Sequence, residues 1–187
     1  MFIGIDPGAS GGIATLDNRG SIVQLGSMPE TDADIMLAIN PLASFAVLEH
    51  VWSSPGWGHV GAFKFGLSYG SLHMALSARG VPFEQVLPRT WQKLIGVSYP
   101  KGVPRDKNIT KAKAQQLFPG VKITHATADA LLLAEFARRT FIAREGKGHH
   151  DEEENRRTGK GQGGKVSKGE NRRPEPLGIG GFPRRRA

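Results

Sequence analysis

The start of the chain constrains its fold most strongly, because a short apolar strand there runs directly into an acidic residue. Residues 2–5 are apolar or small and are bounded by turn residues, which predicts a buried β-strand ending at Asp6. Pro7 and Gly8 predict a turn, and residues 11–16 resume an apolar run that predicts a second strand. A carboxylate at the tip of a buried strand is costly unless a cation lies beside it. The alternative is a tight hairpin in which Asp6 only caps the turn.

A second apolar run ends in a carboxylate in the same way. Residues 45–48 predict a strand, and Glu49 follows them. A third acid, Asp129, lies four residues after His125 in the segment THATADALLLAEF, so both side chains lie on one face of a predicted helix. If this helix packs beside the ends of the two strands, four side chains converge. The candidate catalytic and metal-binding residues are Asp6, Glu49, His125 and Asp129.

The chemistry of these four residues indicates divalent cations. Carboxylate-rich clusters suit Mg²⁺ or Mn²⁺, and one histidine is compatible with Mn²⁺ in particular. Two such ions about 3.5–4 Å apart can activate a water and stabilise a leaving 3′ oxygen in phosphodiester hydrolysis. Each residue also has a structural alternative: Asp129 could stabilise the start of its helix, Glu49 could be an exposed strand end, and His125 could be a helix cap. The joint pattern of three acid-bearing elements favours the metal site.

The order of the predicted elements defines an α/β fold, a five-stranded mixed sheet flanked by helices. Strands are predicted over residues 2–5, 11–16, 21–25, 45–48 and 83–87, and helices over residues 31–40, 61–79, 89–95, 109–118 and 125–143. Ala62, Gly66 and Gly70 form a row of small residues that predicts close contact with another helix, since glycine inside a helix costs about 1 kcal/mol and needs a packing reason. Trp52, next to the fourth strand, is predicted to lie in the core. Phe63, Phe65 and Tyr69 are predicted to pack within the protein, with a dimer interface or the centre of a branched nucleic acid as the alternative.

Composition divides the chain into two parts. Residues 1–143 have the length and pattern of one domain with its own core, whereas residues 144–187 are rich in Gly, Arg and Lys and predict a disordered tail. The net charge is +8, and basic residues exceed acidic ones in both parts, which favours nucleic acid over a membrane as the partner. The absence of cysteine excludes disulfides and thiolate metal sites. With no membrane span and no signal pattern in the sequence, we expect a cytoplasmic protein.

A cluster of basic residues follows the fifth predicted strand. Contacts from such side chains to phosphates give salt-dependent affinity without reading sequence, although a charge run can also be only a solvated face. An aromatic ring in a glycine-flanked loop could stack on an unpaired base. The candidate DNA-binding residues are Arg89, Lys93, Arg105, Lys107, Lys111 and Trp57.

Four segments together resemble a known family. FIGIDPGASGGIA, FAVLEHV, KFGLSYG and HATADALLLAEF, in this order and spacing, are similar to the RuvC-type Holliday junction resolvases, especially the compact versions found in bacteriophages. The resemblance spans about residues 2–139. KFGLSYG is the more specific segment, because the acidic pattern is shared among ribonuclease H-like nucleases. The resemblance implies a ribonuclease H-like fold, a homodimer, and Mg²⁺-dependent nicking of branched DNA, in the host cytoplasm if the protein is phage-encoded. The small-residue row is our candidate for the helix contact in that dimer.

The resemblance also implies roles for individual residues of the candidate site. Asp6, Glu49 and Asp129 match the family's metal-binding acids. His125 stands where many relatives have a fourth acid, which makes the second metal site less anionic. Lys107, just ahead of a predicted helix, resembles the family's phosphate-contacting lysine, with Lys111 one turn further on.

Three other functions remain open. The segment GIDPGASGG also resembles the phosphate loop of sugar kinases and actin-like ATPases, which need a second such domain. A non-catalytic DNA-binding module with a degraded site at His125 is another possibility. A related nuclease acting on flaps, forks or RNA is the third, and the acidic pattern does not separate it from a junction resolvase.

Overall fold

In the computed structural model, the backbone is described for residues 1–52, 56, 58–99 and 106–158, and the side chains up to residue 146. Two compact units are present, Met1–His150 and Asp151–Ala187, and the first contains the sheet. The described residues form five strands and five helices, which confirms the predicted α/β class. No helix in these residues is both long and apolar enough to cross a membrane.

The sheet is mixed and has the strand order β3-β2-β1-β4-β5. The strands are β1 (Phe2–Asp6), β2 (Gly12–Leu16), β3 (Ile22–Ser27), β4 (Phe45–Glu49) and β5 (Phe83–Val86). β1 pairs antiparallel with β2, and β2 pairs antiparallel with β3. β4 pairs parallel with β1, and β5 pairs parallel with β4. Because β1 and β4 are parallel neighbours, their carboxyl ends meet at one edge of the sheet.

Helices cover both faces of this sheet. They are α1 (Asp32–Ala38), α2 (His59–Ala78), α3 (Pro88–Ile95), α4 (Lys107–Leu117) and α5 (His125–Thr158). α4 begins at Lys107, before its predicted start at residue 109, because the Asp106 side chain accepts a hydrogen bond from the Asn108 backbone at 2.8 Å and caps the helix.

Alternate residues of the strands supply two separate cores. Ile3 and Ile5 of β1 pack with Leu72 and Leu76 of α2. Phe2, on the other face, packs with the buried leucines of α5. Both faces of the central strands are therefore covered, which explains why β1, β2 and β4 read as nearly continuous apolar runs.

α5 lies directly against the sheet because glycine occupies two of the contact positions. A Cβ atom at Gly4 would overlap the backbone of Ala130 and Ala134. At Gly12 a Cβ would lie 2.6 Å from the Ala126 carbonyl oxygen, again closer than real Cβ contacts allow. Small side chains on α5 thus face glycine on the strands, which allows the helix to approach the sheet closely.

α5 extends beyond its predicted end. The helix continues to Thr158, whereas its end is predicted near residue 143; the division into a domain over residues 1–143 and a disordered tail over residues 144–187 stays a prediction. Arg144 contacts the folded domain: its guanidinium is 3.2 Å from the Glu84 carboxylate and 5.9 Å from the centroid of the Phe45 ring. Arg and Glu are also good helix formers, which the compositional argument did not weigh. Residues 159–187 of the predicted tail lie outside the described residues.

Thr15 offers a direct test of the core. This β2 residue is fully buried, and its hydroxyl has no hydrogen-bond partner among the described residues. Thr15→Val removes that hydroxyl, so we expect the free energy of unfolding to rise by about 1 kcal/mol in urea titrations. Thr110→Val is the matched control, because the buried Thr110 hydroxyl donates to the Lys107 carbonyl at 3.2 Å and its removal should be destabilising. A loss of stability at Thr15 would contradict the unpaired assignment.

Candidate active site

Three acidic side chains lie at the edge of the sheet where β1 and β4 end. Asp6 is the last residue of β1 and Glu49 the last of β4. In the parallel register Ile5 is opposite Leu48, so the two acids follow paired residues on adjacent strands. Asp129 lies in the second turn of α5, the part of the helix that the glycines of β1 and β2 admit to the sheet.

The electrostatics of Asp6 show that these acids are neighbours. The pKa of the Asp6 carboxyl is raised from 3.8 to about 8, chiefly by burial and then by the nearby charges of Glu49 and Asp129. Lys107 acts in the opposite direction and lowers the pKa, so the first residue of α4 also lies near the cluster. Like charges collected in a partly desolvated site are stabilised by a cation.

Two aromatic side chains hold Glu49. The buried Trp91 of α3 donates its indole N–H to Glu49 Oε1 at 2.8 Å. The Tyr69 hydroxyl of α2 lies 3.2 Å from the Glu49 carbonyl oxygen and 2.8 Å from Gln85 Oε1, and can donate to either. Neither contact was predicted, since they join segments far apart in the sequence.

The turn between β1 and β2 needs glycine at Gly11. A Cβ atom there would overlap the Asp6 carbonyl oxygen and would lie 3.2 Å from Asp6 Cγ. The Gly11 carbonyl accepts a hydrogen bond from the Met28 backbone at 2.9 Å, which ties this turn to the end of β3. The glycine-rich motif therefore shapes the backbone around the Asp6 carboxylate.

His125 differs from the three acids in its setting. It is the first residue of α5, one turn before Asp129 as predicted, and its side chain is exposed. Its participation in a metal site stays a prediction.

The donor chemistry of the cluster fits a hard divalent cation, although the ligating arrangement is not formed in this conformation. Carboxylate oxygens are the ligands that Mg²⁺ and Mn²⁺ prefer. The pKa of Asp6 is raised chiefly by burial and also by the neighbouring charges of Glu49 and Asp129, so its ionised form would be stabilised by a cation. Among the described residues, however, no three acidic or histidine side chains are placed to hold one ion. The residues thus supply suitable ligands that must rotate to bind.

Four of the six predicted DNA-binding residues lie within the described part of the chain. Lys107 lies near Asp6, and Lys111 follows it by one turn of α4. Arg89 and Lys93 are exposed on α3 and line an open cavity of about 680 Å³. Two further candidates, Arg105 and Trp57, lie outside the described residues.

Trp52 is not in the core, contrary to the prediction. Its side chain is 72% exposed, and its ring lies 4.6 Å from that of His50. β4 ends at Glu49, so Trp52 lies beyond the strand and is not buried by the packing of the sheet. Phe63, also predicted to pack, is 68% exposed on α2, whereas Phe65 and Tyr69 are partly buried as expected.

The metal-free cluster should make stability depend on pH. The pKa of the Asp6 carboxyl is about 8 in the folded state, above its ordinary value of 3.8. Protonation of Asp6 therefore stabilises the fold fully below pH 3.8, and this contribution is lost as pH rises through about 8. Asp6→Asn removes the penalised charge. In EDTA at pH 9 we expect this variant to exceed wild type in the free energy of unfolding by roughly 2 kcal/mol, with little difference at pH 4. Urea unfolding measures both, and Glu30→Gln, which neutralises an exposed acid, should show no such gain.

The fold is ribonuclease H-like, which confirms the predicted class. Two solved structures share it: Thermus thermophilus RuvC, with a TM-score of 0.52, 18% identity, and coverage of 78% of this chain and 96% of that chain, and T. thermophilus RuvC in complex with a Holliday junction substrate, with a TM-score of 0.53, 17% identity, and coverage of 78% and 95%. No protein-family model and no curated protein sequence matches the chain. At this level of identity the likeness establishes a RuvC-like fold.

Proposed function

We propose that this protein is a divalent-metal-dependent endonuclease that cuts branched DNA, with four-way junctions as its principal substrate. The observation that carries the proposal is the cluster of Asp6, Glu49 and Asp129, in which the pKa of Asp6 is about 8. A similar fold is seen in a RuvC structure bound to a Holliday junction substrate, which supports branched DNA as the ligand.

The acids have distinct parts in this mechanism. The carboxylates of Asp6, Glu49 and Asp129 would hold two Mg²⁺ or Mn²⁺ ions per active site. His125 would complete the binding site of the second ion. When bound, the ions supply an activated water and stabilise the leaving oxygen. Trp91 fixes one oxygen of the Glu49 carboxylate by its hydrogen bond, so that carboxylate is oriented before a ligand arrives.

Positively charged side chains near the acids would position the DNA. Lys107 is close enough to influence Asp6, so it would contact a phosphate near the cut. Arg89, Lys93 and Lys111 extend the basic surface, which gives affinity that falls as salt rises. Trp52, exposed just after β4, offers a flat ring for stacking on a base at the branch point.

A homodimer would explain an exposed apolar surface on α2. We call this surface the outer face of α2, and it comprises Val60 (70% exposed), Phe63 (68%), Leu67 (58%) and Met74 (67%), with Gly66 and Gly70 beside them. A Cβ atom at either glycine would meet nothing within 4 Å, so a second helix has space to approach there. Two copies paired through this face would supply the two active sites that symmetric cutting of a junction requires.

Gly70→Leu tests this pairing. Leucine favours a helix over glycine by up to about 1 kcal/mol, so the fold should be retained or strengthened. The added side chain blocks the approach of a second helix, and we expect self-association to weaken by at least about tenfold in sedimentation equilibrium. Gly146→Leu is the matched control, since it is an exposed glycine within α5 with open space around it. A wild-type protein that is monomeric at all concentrations would contradict the dimer.

Cleavage of synthetic DNA tests the function itself. Purified protein is incubated with a four-way junction and with matched duplex, flap, fork and single-stranded substrates, in Mg²⁺ and in Mn²⁺. Paired symmetric nicks in the junction are the expected result. Tight junction binding without nicks in either metal would favour a non-catalytic module, and equal cutting of flaps or forks would indicate a broader branch nuclease.

A further inference from the structure

A second cavity lies near the acid cluster, on the α2 side of the sheet. Its volume is about 650 Å³, within the usual range for small-ligand sites. The turn after β1, the end of β3 and the first half of α2 form its walls. We call it the α2 pocket, and the residues that matter for its chemistry are Gly8, Met28, Pro29, Glu30, Lys64 and Phe65.

The pocket is joined structurally to the proposed active site. Gly8, two residues after Asp6, has a positive φ of 105°, and a Cβ atom there would touch the Phe65 ring at 3.7 Å. Phe65 stacks on Tyr69 with ring centroids 5.7 Å apart and an angle of 21° between the planes. The Tyr69 hydroxyl lies 3.2 Å from the Glu49 carbonyl oxygen. Phe65, the aromatic wall of the pocket, is therefore connected through Tyr69 to the end of β4, where Glu49 lies.

The lining of the pocket combines a flat apolar wall with separated polar groups. Phe65, Met28 and Pro29 provide surfaces suited to the face of a planar ring. Glu30 and Lys64 add one carboxylate and one ammonium. An ionised carboxylate only accepts hydrogen bonds, so it selects a donor, and the ammonium suits a phosphate.

We propose that the α2 pocket receives an unpaired base of the DNA substrate and that Glu30 favours a base with an exocyclic amino group; this rests on the proposed function. The base ring stacks against Phe65, its amino group donates to the Glu30 carboxylate, and its phosphate lies within reach of Lys64. Carboxylates recognise the amino group of cytosine in this way. Thymine would present a carbonyl oxygen at the same place, and two acceptors repel. Bases at a branch point are already partly unstacked, which lowers the cost of inserting one.

A pair of nearly isosteric bases tests the proposal. Thymine and 5-methylcytosine have nearly the same shape but differ at C4, where thymine has a carbonyl in place of the amino group, and at the adjacent N3, which carries a proton only in thymine. Each is placed as a single unpaired nucleotide at the branch point of an otherwise identical four-way junction, and binding is measured by fluorescence anisotropy in EDTA. We expect wild type to bind the 5-methylcytosine junction about tenfold more tightly than the thymine junction.

Variants locate the discrimination. Glu30→Gln can both accept and donate, so it should bind the two junctions equally, whereas Asp34→Asn, the same loss of charge at an exposed acid outside the pocket, should keep the preference. Phe65→Leu keeps an apolar side chain but loses the ring, and should weaken binding of both junctions about tenfold while leaving duplex binding unchanged.

The outcomes separate this proposal from the function on which it rests. Selective junction binding with no preference between the two bases, or a preference that persists in Glu30→Gln, would overturn the role of the pocket and leave the nuclease proposal standing. Binding that does not distinguish junctions from duplex would count against the proposed function, and the pocket proposal would fall with it.

Discussion

Replacing Asp6 with Asn is expected to lower the rate of junction cleavage by about a thousandfold or more, while junction binding stays within about threefold of wild type. The pKa of Asp6 responds to the charges of both Glu49 and Asp129, so its carboxylate lies close to both of the other acids that would hold the ions. An amide is a weak ligand for a hard cation and carries no charge, so the cluster loses its central donor. The basic side chains that we propose contact phosphate are not altered by the substitution.

Single-turnover cleavage and anisotropy titrations on the same junction measure the two quantities. Asp34→Asn is the control for the chemical change, because Asp34 is an exposed acid near the start of α1, where the Thr31 hydroxyl donates to its carboxylate at 2.7 Å. That control should cut the junction at the wild-type rate. Cleavage retained in Asp6→Asn would show that chemistry occurs elsewhere, and binding lost together with cleavage would contradict the separation between the acids and the DNA-binding surface.

The second large effect is expected at Gly4, in the middle of β1. Gly4→Ala should lower the free energy of unfolding by about 3 kcal/mol or more, because the new methyl group would overlap the backbone of α5 at Ala130 and Ala134. Backbone atoms cannot move aside as a flexible side chain can, so the helix itself must shift away from the sheet. Asp129 is carried on the same helix, and its distance from Asp6 should increase.

Urea unfolding gives the stability change, and the affinity for Mn²⁺, measured by calorimetry, reports on the displaced acid. Gly26→Ala is the matched control: Gly26 lies in β3 of the same sheet, and a Cβ atom there meets nothing within 4 Å. It should leave both quantities nearly unchanged or slightly raise stability. A mild effect at Gly4 equal to that at Gly26 would show that α5 is less tightly held against β1 than the structure indicates.

The positions of the acids could be predicted from the sequence because they follow from local patterns. Short apolar runs ending in Asp6 and Glu49 define strands whose carboxyl ends carry a charge, and parallel neighbours bring such ends together. Asp129 follows from helical spacing and the small residues around it. The glycine of β1 that admits the helix, Gly4, was not recognised, because nothing in a strand pattern shows which backbone will lie above it.

The surroundings of the acids could not be predicted, since they depend on contacts between distant segments. Trp91 and Glu49 are 42 residues apart, and their hydrogen bond exists only because α3 packs beside β4. Trp52 was predicted to be buried on its apolar character alone and is exposed instead. The extent of α5 was underestimated because composition indicated disorder after residue 143, whereas Arg144 makes specific contacts with Glu84 and Phe45.

α2 joins two surfaces that would otherwise be independent. Tyr69 connects one side of this 20-residue helix to the main chain of Glu49, and Gly70, the next residue, belongs to the adjacent, solvent-facing side. A helix of this length is a stiff rod of about 30 Å. If two copies pair through their outer faces, the span between the two acid clusters is set by two adjacent rods and changes little with loop movement. The distance between the two active sites would then be fixed, and the dimer would select DNA whose strands at a branch are separated by that distance.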